Sequence, residues 1–261
     1  MAITTLPVVA VSVILHLSIL GISPLEAKNA QVSFEWNSSA ADHSPANRIA
    51  LGADAIFVNT GVLQLTDSMK GLRGNGSVGR AAYNETISLW DASTKAVANF
   101  TTHFQFQMDW TNQSTADVPD YGGDGLSFFM GRRESDYNLS FTGKNGYLGL
   151  FSPDNDGKSS TKLLVVEFDT YSNSPWDKDS NHIGIDVNTI NSAATRPLHQ
   201  RLNGGETWDV RVDYRGQENV LEVFASCRCN GKGPWKLAHK IDLTHYLPEE
   251  IVVGFSATAF K

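Results

Sequence analysis

Residues 100–110 place Phe100, Thr102, Phe104, Phe106, Met108 and Trp110 at even positions and Thr101, His103, Gln105, Gln107 and Asp109 at odd ones. Strand side chains alternate between two faces, so this spacing predicts a long strand with one apolar and one wet face; a helical period would scatter the same residues around a cylinder. The same writing recurs at Val32-Phe34-Trp36, Ile183-Ile185-Val187 and Trp208-Val210-Val212-Tyr214, and short apolar runs occupy 163–168 and 251–255. Gly, Asn, Asp and Ser clusters separate these segments, and no stretch sustains a helical period or an internal repeat. Residues 31–261 therefore read as one all-β domain, an antiparallel β-sandwich of the jelly-roll kind. At 41% hydrophobic and 19% charged residues, the chain has enough apolar material to fill such a core.

Residues 1–30 differ in character. An apolar run from Leu6 to Ile22 precedes Ser23-Pro24 and the small residues Ala27 and Ala30, the pattern of a secretory signal peptide. Its strictly apolar part is shorter than the ~20 residues of a membrane span, and no later segment could cross a bilayer. Sequons begin at Asn37, Asn75, Asn84, Asn99, Asn112 and Asn138, none with Pro in the middle. Together these features predict a glycoprotein that is secreted, extracellular or vacuolar. The 28 acidic residues outnumber 21 basic ones and no Lys/Arg cluster occurs, which argues against a nucleic-acid partner. Cys227 and Cys229, two apart on an expected strand, would be strained as a bridge, so they are expected to be thiols without a structural role.

The chemistry is concentrated between Glu167 and His182. On a strand Glu167 and Asp169 project to one face, where two carboxylates repel and call for a cation, a shared proton or exposure. Exposure is awkward beside the apolar run that precedes them. Asn173, Pro175 and Asp177 mark a loop that returns oxygen donors to the carboxylates before His182 opens the next strand. Oxygen donors from Asp, Asn and a backbone carbonyl suit Ca²⁺, with contacts of about 2.3–2.6 Å. An imidazole added to carboxylates suits Mn²⁺ or a similar transition ion. Two adjacent ions sharing carboxylates are the expected arrangement.

This block resembles the metal-binding signature of the legume (L-type) lectins. The resemblance covers about residues 31–258 and continues at 61–66 (GVLQLT), 77–81 (SVGRA), 89–91 (LWD), 123–129 (GDGLSFF), 146–151 (GYLGLF), 247–249 (LPE) and 253–257 (VGFSA). The first of these blocks are most similar to the lectin domains of plant lectin receptor kinases, though no kinase or membrane span accompanies them here. The resemblance implies that Glu167, Asp169, Asp177 and His182 hold the transition ion, and that Asp169, Asp177, Asn173 and the carbonyl of Tyr171 hold Ca²⁺. Neither ion performs chemistry in the family; both fix the loop and support a cis peptide before the aspartate of the glycine-rich block, here Gly123-Asp124. The implied glycan site uses Asp124 as hydroxyl acceptor, the amide of Asn173 and the N–H of Gly146 as donors, and the ring of Tyr171 against the apolar sugar face. Such a site is shallow, with affinity near millimolar, or about -4 kcal/mol, unless multivalency raises it. The resemblance also implies a specificity loop and closing strand material after the last block, which residues 31–261 lack, and a homo-oligomer formed through sheet edges.

Two other functions fit parts of the pattern. Glu167-Phe168-Asp169 has the E-x-D form of a jelly-roll glycoside hydrolase strand, but a retaining enzyme needs a second carboxylate about 5–5.5 Å away, and the next position on that face is Tyr171. A defence or storage protein with a decayed site would lose metal ligands, whereas all six positions here are suitable. The expectation is a lectin, not an enzyme. Trp90, Trp110 and Trp208 read as packing residues, and His103 falls on the polar face of its strand.

Overall fold

The computed structural model describes residues 8–12, 18–20, 48–58, 62–67, 76–110, 122–132, 145–229 and 233–260. In chain order its strands are β1 (Val8–Ser12), β2 (Ser18–Leu20), β3 (Ile49–Ala53), β4 (Ile56–Phe57), β5 (Leu63–Gln64), β6 (Ser77–Tyr83), β7 (Ile87–Ser88), β8 (Asn99–Asp109), β9 (Gly123–Gly131), β10 (Leu163–Asp169), β11 (His182–Val187), β12 (Ala194–Pro197), β13 (Gly204–Arg215), β14 (Val220–Cys227), β15 (Trp235–Lys240) and β16 (Glu250–Phe260). One sheet runs β15-β14-β13-β8-β1-β5-β4 with β2 also on β8, and the other runs β12-β11-β10-β9-β16-β6-β3 with β7 on β16. Every strand pairing among the described residues is antiparallel. The only helical elements among them are short 3-10 turns at Asn145–Tyr147 and Leu243–His245.

The alternation read in the sequence becomes the sandwich core. Phe100, Phe104, Phe106 and Met108 of β8 are buried while His103 and Gln107 stay exposed. From the first sheet, Phe104 lies 5.8 Å from Phe128, 5.9 Å from Phe168 and 5.0 Å from Phe255 of the second, centroid to centroid. Phe106 reaches Phe168 at 4.8 Å and stacks on Trp208 at 6.3 Å. Offset and edge-on pairs of this kind add about 0.5–1.5 kcal/mol each to the burial of their area. Trp110 and Trp208 are buried, and the Trp90 indole donates to the Leu247 carbonyl at 3.1 Å, as packing residues would.

The second sheet has a core on each side. Leu164, Val166 and Phe168 of β10 face the sandwich interior, whereas Leu163 and Val165 join Phe129, Leu148, Leu150, Phe151, Ile190 and Val252 in a smaller cluster on the opposite face. That explains a β10 apolar on both faces, and it fixes which side Glu167 and Asp169 occupy: the row of Leu163 and Val165 continues into them.

The structure differs from expectation at the two cysteines. Cys227 and Cys229 are disulfide-bonded, with Cα atoms 5.1 Å apart and no free cysteine among the described residues. Strand β14 ends at Cys227, so the chain bends over the next two residues instead of extending, and the separation falls within ordinary disulfide range. β1 and β2 lie inside residues 1–30, the expected leader, and pair along β8 with Ala10 opposite Gln107 and Ile19 opposite Phe100. The β-branched, apolar content of a leader also suits a strand. The Val32-Phe34-Trp36 segment and four sequons, at Asn37, Asn75, Asn112 and Asn138, lie outside the described residues. No helix among the described residues is long and apolar enough to cross a membrane.

Candidate metal and glycan site

Strand register assembles the site. On β10 and β11, Asp169 pairs with His182, Glu167 with Gly184 and Val165 with Asp186. Residues two apart share a face, so Glu167, Asp169, His182, Gly184 and Asp186 all point away from the aromatic core. Gly184 makes room: a Cβ there would sit 2.1 Å from Glu167 Oε1 and 2.3 Å from Ser192 Oγ. Glu167, Asp169 and His182 each bring a ligand atom within 4.8 Å of the others, all three side chains buried. His182 Nε2 lies 3.1 Å from Glu167 Oε1, and its Nδ1 lies 3.1 Å from the Asp179 carbonyl, which orients the ring. Glu167 Oε2 is buried with no hydrogen-bond partner. An orphaned carboxylate oxygen beside a second carboxylate and an imidazole is the donor set of a transition-metal ion.

Residues 170–181, between β10 and β11, supply the second group. Tyr171 N–H donates to Asp169 Oδ1 at 2.6 Å and Asn173 N–H to Asp177 Oδ2 at 2.8 Å, folding the loop back on the strand end. Asp177 thereby turns toward the loop and stands outside the tight cluster of Glu167, Asp169 and His182. The Asn173 carboxamide is the most informative group. Its Oδ1 faces the Tyr171 carbonyl at 3.2 Å and Asp177 Oδ2 at 3.3 Å, acceptor against acceptors, while its Nδ2 donates to Asp124 Oδ1 at 3.4 Å. Rotating the amide would satisfy the first pair but set oxygen against the Asp124 carboxylate. A cation among the three converging oxygens satisfies every group in the observed orientation, and oxygen-only donors suit Ca²⁺.

Electrostatics point the same way. Burial pushes the Asp169 carboxyl well above its usual range, and the charges of Glu167 and Asp177 push it further. Burial likewise raises Asp177 to about 6. Burial acts to lower His182, but the Glu167 hydrogen bond and the charges of Glu167 and Asp177 outweigh it, so its pKa is raised. Carboxylates this reluctant to ionise together are what bound cations would relieve.

The residues expected to touch a glycan lie beside this cluster. The Gly123–Asp124 peptide is cis. Asp124 is 3% exposed; it accepts from Thr258 Oγ1 at 3.2 Å, and its carbonyl accepts from Thr170 N–H at 2.7 Å. Burial raises its carboxyl to about 6, against the lowering effect of the Thr258 and Asn173 hydrogen bonds. Gly146 lies on the 3-10 turn against Asn173, where a Cβ would come within 2.3 Å of Asn173 Cγ. Tyr171 is 40% exposed, leaving ring surface available for stacking. Asp124, Gly146, Tyr171 and Asn173 therefore meet at one end of the second sheet.

Sequence reasoning passed over Asp186, Ser192 and Thr258. Ser192 Oγ lies 2.5 Å from both Glu167 Oε1 and Asp186 Oδ1. Asp186 is fully buried, its carboxyl raised by that burial and by the Glu167 charge. Strand parity could have found Asp186, two residues beyond Gly184 and four beyond His182. Nothing local marks Thr258, which reaches Asp124 through the pairing of β16 with β9.

An antiparallel sandwich with a buried His–carboxylate cluster behind a shallow loop of hydroxyl acceptors, amide donors and an exposed tyrosine defines a class, the β-sandwich carbohydrate-binding lectins. The legume lectin domain family matches residues 31–261. A 2-acetamido-2-deoxy-D-galactose-binding seed lectin from Cytisus scoparius is 36% identical over 233 residues, 87% of this chain and 88% of that protein. An anti-H(O) lectin from Ulex europaeus is 38% identical, covering 80% of this chain and 81% of the relative. Among solved structures, lectin II from Ulex europaeus superposes with a TM-score of 0.70 at 37% identity, covering 82% of this chain and 86% of its own. Winged bean acidic lectin complexed with methyl-α-D-galactose gives 0.67 at 35% identity, covering 81% and 84% respectively. The chain belongs to the legume lectin family and is a carbohydrate-binding lectin.

Proposed function

We propose that this lectin binds glycans without catalysis and only when two ions order its loop, and that it travels the secretory route. Glu167, Asp169, Asp177 and His182 would hold Mn²⁺ or a similar ion; Asp169, Asp177, Asn173 and the Tyr171 carbonyl would hold Ca²⁺. The bound ions supply positive charge that lets the buried carboxylates ionise together. The protein's own groups do the recognition. Asp124 accepts sugar hydroxyls, the Asn173 Nδ2 and the Gly146 N–H donate, and the Tyr171 ring packs against the C–H face. Asn173 carries the reading: its Nδ2 donates to Asp124 while its Oδ1 faces the Tyr171 and Asp177 oxygens, so one amide would serve both ion and sugar. The ligands named for two relatives favour galactose-type sugars as first candidates. A homo-oligomer would raise avidity over a weak single site.

Burial of Glu167, 0% exposed, supports a non-catalytic role, since a polysaccharide cannot reach it. A glycan array run with and without Ca²⁺ and Mn²⁺ tests the proposal. Binding that appears only with the ions is expected; ion-independent binding, or none under any condition, would overturn it.

A further inference from the structure

We propose that Asn84 is an N-glycosylation acceptor and carries its glycan on the pole of the sandwich opposite the sugar site. The inference rests on the secretory reading above. Asn84-Glu85-Thr86 forms the bend between β6 and β7. Asn84 and Glu85 are exposed, and the bend is held by its backbone, with Asn84 N–H donating to the Arg48 carbonyl at 2.9 Å. The Thr86 hydroxyl, which the acceptor sequence requires, donates to Glu250 Oε2 at 2.9 Å in an exposed contact. The other described sequon provides a contrast. Asn99 is half-buried on β8; its Oδ1 accepts from Gly216 N–H at 2.8 Å, clasping the β13–β14 turn, and Thr101 Oγ1 donates to Asp213 at 2.9 Å. Asn84 is exposed on its bend, whereas a glycan on Asn99 would crowd a packed turn.

Position adds a functional consequence. Ser77 and Asp124 both pair with Ala259, so the start of β6 lies beside the sugar site. Asn84 is seven residues further along, about 23 Å at strand rise. A glycan there leaves the chain's own site open. In the transfer, the Asn84 Nδ2 attacks the anomeric carbon of an oligosaccharide linked to a lipid pyrophosphate. The C–N bond forms, the C–O bond to phosphate breaks, the lipid pyrophosphate leaves with the electron pair, and the amide proton passes to the transferase's base.

The full chain should be expressed in a plant secretory host, recovered from the medium, and deglycosylated by peptide N-glycosidase in heavy-oxygen water before peptide mass spectrometry. Heavy-oxygen aspartate at position 84 is expected. Asn84→Gln and Thr86→Ala should each remove one glycan's worth of electrophoretic mass. Secreted protein with unmodified Asn84 would overturn this proposal alone. Protein retained in the cell with no labelled sequon would overturn it together with the secretory reading.

Discussion

Replacing Asp124 by Asn should abolish glycan binding and yet make the ion-stripped protein more stable above neutral pH. Asp124 is 3% exposed, and its burial lifts the carboxyl from 3.8 to about 6. Between those values the folded state holds a proton that the unfolded chain has released. In chelator, stability is therefore greatest below about pH 4 and falls as pH rises through about 6. A displacement of about two units, at about 1.4 kcal/mol per unit, amounts to about 3 kcal/mol lost at pH 8. Asparagine has the same shape without the charge. Its Oδ1 can accept from Asn173 Nδ2, and its Nδ2 can donate to Thr258 Oγ1, because a hydroxyl also accepts. Urea unfolding followed by tryptophan fluorescence in EDTA should show coincident midpoints near pH 4 and, for Asp124→Asn, a midpoint higher by about 1 M at pH 8. The carboxyls of Asp169 and Asp177 are raised partly by the Asp124 charge, so their relief in the variant adds to the difference in the same direction. A variant no more stable than wild type at pH 8, or one with the same advantage at both pH values, would refute the reasoning.

Other outcomes follow from the same geometry. Gly184→Ala puts a methyl group into the space of Glu167 Oε1, at about 1–3 kcal/mol for the overpacking; calorimetry should show that Mn²⁺ no longer raises the melting temperature. Thr258→Val removes one hydrogen bond to Asp124 and should weaken glycan affinity about fivefold, about 1 kcal/mol, while Thr258→Ser retains it and Ca²⁺ affinity by titration calorimetry is unchanged in both. Phe104→Ala empties a centre touched by Phe128, Phe168 and Phe255 and should cost about 3–5 kcal/mol in urea unfolding. Reducing Cys227–Cys229 opens a very short loop, so the midpoint should fall by the equivalent of about 2 kcal/mol or less.

What could be read in the sequence was whatever depends on side-chain parity. The even residues of 100–110 named their own buried face, and the spacing of Glu167 and Asp169 placed two carboxylates together before any partner strand was known. The loop between them and His182 was legible because its ligands are close in the chain. Parity also points to Asp186, which shares the face of His182 and Gly184 but lies beyond the loop that holds the other ligands. Thr258 was beyond such reasoning: it is 134 residues from Asp124, and only the order of strands in the sheet brings them into contact. The disulfide was misjudged because the strand was assumed to continue through Cys229, whereas β14 stops two residues earlier. The pairing of residues 8–12 and 18–20 was illegible for a physical reason, since an apolar run rich in Val, Leu and Ile satisfies a leader and a strand alike.

β10 carries a consequence for how the chain reaches this fold. Along its seven residues both carboxylates are confined to one face: Leu164, Val166 and Phe168 occupy the other, and Glu167 and Asp169 follow Leu163 and Val165. Sliding β10 by one position against β9 or β11 would drive both carboxylates among Phe104, Phe106 and Phe128 and lift Phe168 into the ion site. Each stranded charge would cost several kcal/mol, so misaligned sheets are expelled from the accessible ensemble. The carboxylates that make the loop competent for sugar thus also act as an error check on strand pairing, and loading with ions rewards only the alignment that passes it.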